Sequence, residues 1–260
     1  MTGSEETLSF RLAYVPGVTP TKWVRIWNER LPDVPLELIA TPAAEAYGVL
    51  RDGGADAGFV RLPADRTYFS AIPLYEETTV VVVPKDHLFT AADEVAVEDL
   101  ADEIVLHPLD DTLGWERPPG QPAFERPATT ADAVELVAAG IGLLVVPQSL
   151  ARLYHRKDLK YRTLTDAPQS RVALAWPEER TTDRVEDFIG IVRGRTVNST
   201  RGRTQPEAAA KAKPKQPGKA GAGKTGARKP AAGKPAGKGA RGPRGGSGAP
   251  KGARRGKPRR

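Results

Sequence analysis

The sequence contains no cysteine. Disulfides, thiolate metal sites and thiol catalysis are therefore excluded. Histidine is scarce, and His87, His107 and His155 stand far apart. The stretch His107 to Asp111 sets two acids near one histidine, without the ligand spacing of a zinc site. No glycine-rich phosphate loop or nucleophile elbow occurs. Gly140-Ile141-Gly142 follows a helical pattern instead of opening one, and Ser149 has no hydrolase context. No apolar run approaches the ~20 residues that span a bilayer. The opening MTGSEETLSF has neither the basic start nor the apolar stretch of a signal peptide. These absences point to a cytoplasmic non-enzyme with no metal, no cofactor and no membrane partner.

A further absence divides the chain. Residues 201–260 hold no Ile, Leu, Val, Phe, Trp or Tyr, but 19 of the 39 lysines and arginines and one of the 32 acids. Their net charge is +18, against −11 for residues 1–200. Two hundred residues suffice for a full core, so residues 1–200 are expected to fold alone. The remaining sixty lack the apolar area to offset the entropy of ordering and are expected to be disordered.

The organising stretch is Thr129 to Ser149, TTADAVELVAAGIGLLVVPQS. Thr129 or Thr130 can cap a helix whose first turns carry Asp132 and Glu135. Val134, Val137, Ala138 and Ile141 recur at helical spacing. Gly140 and Gly142 end the helix, and Leu143–Val146 reads as a strand buried on both faces and stopped at Pro147. Earlier, Leu8–Val15 is a first strand. Thr19-Pro20 opens a helix to about Leu31 with Trp23, Val24 and Trp27 on its core face. Leu36–Ala40 is a strand, Thr41-Pro42 opens a helix that ends near Asp52-Gly53-Gly54, and Ala57–Leu62 is a third strand. This alternation predicts a parallel α/β sheet. Tyr75–Pro84 reads as one apolar strand and Ile104–His107 as another. Residues 110–128 form a proline-rich loop, Val172–Trp176 is a last strand, and Val185, Phe188, Ile189 and Val192 mark a last helix.

The order of RLAYVPG, LRDGGADAGFVRL with Asp56 after its glycines, PLYEETTVVVVPKDH, VEDLADE, AVELVAAGIGLLVVP and ALAW resembles the effector-binding domain of LysR-type transcriptional regulators. The resemblance implies a two-lobed fold of the type 2 periplasmic-binding-protein class. Lobe I would span about 8–78 and 177–198 and lobe II about 84–170, with crossing strands near 79–84 and 171–176. It also implies a homodimer and a small effector in the cleft. Carried over by position, the cleft lining would be Gly17, Val18, Thr19, Arg61, Thr129, Thr130, Pro147 and Gln148. The family's helix-turn-helix would precede the first strand, and is expected to be absent.

Two helix starts, at Thr19-Pro20 and Thr129-Thr130, would turn free N–H groups into that cleft, and Arg61 could grip a carboxylate with two hydrogen bonds. A small carboxylate is the expected effector. The alternative for the threonines is capping alone, and for Arg61 a surface ion pair with Asp65 or another acid. In the basic segment, Arg241, Arg244, Lys251, Arg254, Arg255, Lys257, Arg259 and Arg260 are the candidate DNA contacts. The composition resembles the tails of linker histones and nucleoid proteins. The end, RRGKPRR, approximates an AT-hook, with Lys257 in place of arginine. Counterion release favours duplex DNA or another polyanion, bound without sequence preference. The reading is a ligand sensor tethered to DNA. The alternatives are a nucleoid protein with a ligand-free dimerisation domain, and an adaptor for a separate helix-turn-helix regulator.

Overall fold

Phe10, Leu12 and Ala13 are fully buried in β1 (Phe10–Tyr14), which lies between two parallel neighbours, β2 (Leu36–Ala40) and β3 (Ala57–Arg61). The computed structural model describes residues 9–195. The basic segment 201–260, with its expected disorder and its candidate contacts from Arg241 to Arg260, lies outside the described residues, as does Leu8.

The first sheet has the order β2-β1-β3-β11-β4, where β4 is Phe69–Glu77 and β11 is Ser170–Pro177. Strand β11 runs antiparallel to both β3 and β4. Pro73 falls at a register shift on the edge strand β4, where a missing N–H is tolerated. Helices α1 (Thr21–Arg30), α2 (Ala46–Arg51) and α5 (Asp183–Val192) complete this lobe. Its core is aromatic: Phe10 stacks on Trp27 with centroids 4.5 Å apart, and Phe188 lies 5.2 Å from Phe10. The buried indole N–H of Trp27 is satisfied by the Val34 carbonyl at 2.9 Å. Asp56 ties the sheet together, accepting from the Arg11 backbone N–H at 2.7 Å and from its guanidinium at 2.8 Å.

The second sheet has the order β6-β10-β5-β9-β7-β8. Its strands are β5 (Thr79–Pro84), β6 (Glu94–Ala96), β7 (Ile104–Leu106), β8 (Gln121–Pro122), β9 (Leu143–Pro147) and β10 (Leu159–Thr165). Side chains alternate across a strand, so the run Val80–Val83 feeds two cores. Val80 and Val82 pack with Ala133, Val134 and Val137 of α3 (Thr130–Ala138), whereas Val81 and Val83 pack with Phe89, Val95 and Leu100. Burial on both faces is why these strands read as unbroken apolar runs.

Three expectations change. The stretch read as one strand from Tyr75 to Pro84 breaks at Thr78: β4 belongs to the first sheet and β5 to the second. The return crossing is likewise made by residues 166–169, because β11 pairs with β3 and β4 along its whole length. The two crossings touch where the Thr79 hydroxyl donates to the Pro168 carbonyl at 2.5 Å. Both Thr-Pro helix starts come late. Helix α1 begins at Thr21 with Pro20 as its N-cap, and α2 waits until Ala46, after a turn closed by Glu45 N–H to the Pro42 carbonyl at 3.0 Å. Thr41 instead bonds the Ile39 carbonyl through its hydroxyl. Third, Ile141 is exposed, because α3 ends at Ala138 and Gly140 takes a φ of 75° that turns the chain away.

Candidate functional site

The carboxyl ends of β1, β2 and β3 face the first turns of α3 and of α4 (Gln148–Leu153) across the gap between the sheets. A cavity of about 930 Å³ opens there. From the first lobe come Tyr14, the Pro16–Thr19 loop and Ala40–Ala44, and from the second Asp110, Thr112, Thr129–Ala131 and Ser149–Tyr154 with the exception of Ala151. Arg61 lies between them.

Of the residues expected to line the cleft, Gly17, Val18, Thr19, Arg61, Thr129 and Thr130 do so. Pro147 and Gln148 do not. Pro147 is buried at the end of β9 opposite Thr79, and the Gln148 N–H donates to the Thr78 carbonyl at 2.9 Å. The next residue, Ser149, takes their place.

Thr129 caps α3: its hydroxyl accepts from Asp132 N–H at 3.1 Å, and Asp132 accepts the Thr129 N–H at 3.2 Å. Thr130 is buried and donates its hydroxyl to Asp110 Oδ1 at 2.8 Å. Tyr154 lies close enough to Asp110 for that charge, after burial, to raise the phenol pKa.

Arg61 does not present a free fork. Its side chain and that of Glu77 are each 6% exposed and form an ion pair. The same Nη1 donates to Ser170 Oγ at 2.6 Å, while Nη2 donates to the Pro16 carbonyl at 3.1 Å and weakly to Ser149 Oγ at 3.4 Å. Asp65, the alternative partner, instead accepts from the Thr67 N–H and hydroxyl. Glu77 ends β4, Ser170 starts β11 and Ser149 belongs to the second lobe, so one guanidinium holds the ends of three adjoining strands and reaches across the gap. Its Nε is buried without a partner, as is Thr112 Oγ1. Gly17 makes this approach possible. It has a φ of 86°, and a Cβ there would run into Ser149 Oγ.

The model of the LysR substrate binding domain matches residues 4–196. The chain belongs to this family. Solved LysR-type neighbours share the fold. The BenM effector-binding domain with its effector benzoate matches with a TM-score of 0.61 and 21% identity, over 72% of this chain and 90% of that one. The oxidised form of OxyR matches with a TM-score of 0.59 and 20% identity, over 72% and 95%. A probable hydrogen peroxide-inducible genes activator of Mycobacterium avium is 34% identical over 144 residues, 52% of this chain and 46% of that protein. The transcriptional regulator AlsR of Bacillus subtilis is 26% identical over 184 residues, 65% and 59%. The chain thus spans about half the length of the curated relatives it matches, all of them similar to it and named as regulators of transcription or of inducible genes. As a LysR substrate-binding domain it is a ligand-sensing unit. Among the described residues no helix is long and apolar enough to cross a membrane.

The LysR resemblance supplied Gly17–Thr19, Arg61 and the α3 start, but not Pro16, Ala40–Ala44, Asp110, Thr112 or Tyr154. The rule that ligands gather at the carboxyl ends of strands, applied to β2, would have found Ala40–Ala44. Asp110 and Thr112 sit in a loop without periodicity, and α4 is too short to show any.

Proposed function

We propose that the chain is the effector-sensing part of a LysR-related transcriptional regulator or accessory protein. The observation that carries this reading is the cavity of about 930 Å³ between the lobes, to which both contribute backbone turns and hydroxyls. A small metabolite with a carboxylate suits it. The first-turn N–H groups of Thr130 and Ala131 have no acceptor within α3, and Ala131 lines the cavity. The carboxylate benzoate is the effector of a protein with the same fold. Because Arg61 is committed to Glu77, the helix start and not the guanidinium would take the anion. This chain has no cysteine, so sensing of peroxide through a thiol is closed to it.

The protein is not an enzyme in this reading. It is cytoplasmic and dimeric, and its Lys/Arg-rich segment 201–260 tethers it to DNA or another polyanion, hence to the nucleoid. That segment carries 19 basic residues and one acid, and it has no aromatic side chain on which bases could stack. Thermal melting against a broad panel of metabolite acids tests the sensor. A ligand at a hundred times its Kd stabilises by about 2.7 kcal/mol, which moves the Tm of a domain this size by roughly 5–11 °C. No shift with any acid would reject it. Fluorescence anisotropy on duplex DNA, comparing residues 1–260 with 1–200 over a salt series, tests the tether. The expected result is binding by the full chain alone, falling steeply with salt. Equal binding by both, or none, would reject the tether.

A further inference from the structure

We infer that the ligand of this cavity carries an amine beside its carboxylate, as an α-amino acid does, and that Asp110 receives the amine. This rests on the reading of the cavity as an effector site.

Asp110 lines the cavity from the loop between β7 and α3. Its Oδ1 accepts the Thr130 hydroxyl at 2.8 Å, and its carboxylate has no ion-pair partner among the described residues. Of the two cations that line the same space, Arg61 pairs with Glu77, and Arg152 is exposed with its Nε 3.5 Å from the Tyr161 hydroxyl, forming no ion pair with Asp110. Asp110 is exposed where it lines the cavity. A ligand that fills the space covers it, and a carboxylate covered without a partner is heavily penalised. A purely anionic ligand adds like-charge repulsion to that penalty. A ligand bringing an ammonium group removes both.

The distribution of polar groups agrees. Asp110, Thr112, Thr130 and Tyr154 stand on the second-lobe side, and Thr112 Oγ1 is buried with no hydrogen-bond partner. Hydroxyls line the first-lobe side as well, at Tyr14, Thr19 and Thr41, but Asp110 is the one carboxylate among the described residues of the lining. The ligand's amine therefore faces the second lobe. Asp110 bonds Thr130, the first residue of α3, so the acceptor for the amine adjoins the helix start that takes the carboxylate. Groups attached to one α-carbon fit that adjacency.

The test uses the full-length chain and two matched pairs of probes: L-phenylalanine against 3-phenylpropanoate, and L-leucine against 4-methylpentanoate. Melting shifts and titration calorimetry are read for the natural chain and for Asp110→Asn, which keeps the acceptor for Thr130 and loses the charge. The expected result is that at least one amino acid binds more tightly than its des-amino partner. Asp110→Asn, with an unaltered melting temperature when empty, then loses affinity for that amino acid about 10–100-fold and none for the partner. If the des-amino acids bind as well or better, the inference is overturned while the effector reading stands. If none of the four binds, the inference is overturned and the effector reading is left to the broad acid panel.

Discussion

Replacing Glu77 by leucine should strand a cation. Arg61 and Glu77 are each 6% exposed, and the remaining partners of the guanidinium would be two hydroxyls and the Pro16 carbonyl, none of them charged. Removing one member of a buried pair costs about 3–5 kcal/mol, a large share of the 5–15 kcal/mol that typically holds a domain folded. For a domain of this size that corresponds to a fall in Tm of roughly 6–20 °C. The position aggravates the loss, because Arg61, Ser170 and Glu77 end or begin the adjoining strands β3, β11 and β4 where the chain passes to the second lobe. The double variant Arg61→Met, Glu77→Leu has no stranded charge and should recover most of the stability, since apolar replacement of a whole buried pair is often neutral. Urea unfolding followed by tryptophan fluorescence would read all variants, with Trp23, Trp27 and Trp176 reporting the first lobe. A single variant within about 1 kcal/mol of the parent, or a double variant no more stable than the single, would refute the reasoning.

Gly17→Ala should destabilise by about 1–2 kcal/mol through its left-handed backbone and a further ~1–3 kcal/mol through the collision of its Cβ with Ser149. Ser149→Ala added to it should recover part of the collision, and melting of the two variants would check this. Burial pushes the Tyr47 phenol up to about 12, with its hydroxyl donating to the Arg61 carbonyl at 3.0 Å. The unfolded tyrosine ionises near 10, so its contribution is fully present below pH 10 and is lost as pH rises towards 12. Tyr47→Phe should flatten that part of the alkaline stability profile, and an unchanged slope between pH 10 and 12 would count against it.

What could be read from the sequence was local. Leu36–Ala40, Ala57–Arg61 and Leu143–Pro147 are strands, within a residue of their expected ends, and the Thr129 cap and Gly140 turn bracket α3. The division between β4 and β5 was not legible, because Thr78 carries no breaker and only the partner strands decide which sheet each half joins. Strand β10 was missed because only Leu159 and Leu164 are buried, with the polar Lys160, Arg162 and Thr163 between them and no apolar run. The Thr-Pro pairs signalled helix starts, but Pro20 and Pro42 sit in turns ahead of the helix, so the first helical residue came later. In the site, the two loops at helix starts were visible. The commitment of Arg61 was not, since its partners Glu77 and Ser170 lie 16 and 109 residues away.

The most direct test of the account is an amide NMR titration of the chain with whichever acid raises its Tm most. The account predicts shifts on both lobes around the cavity, at Gly17, Thr19 and Thr41 on one side and at Thr130, Ala131 and Ser149 on the other. Shifts confined to one lobe, or clustered away from these residues, would contradict the placement of the effector between the lobes.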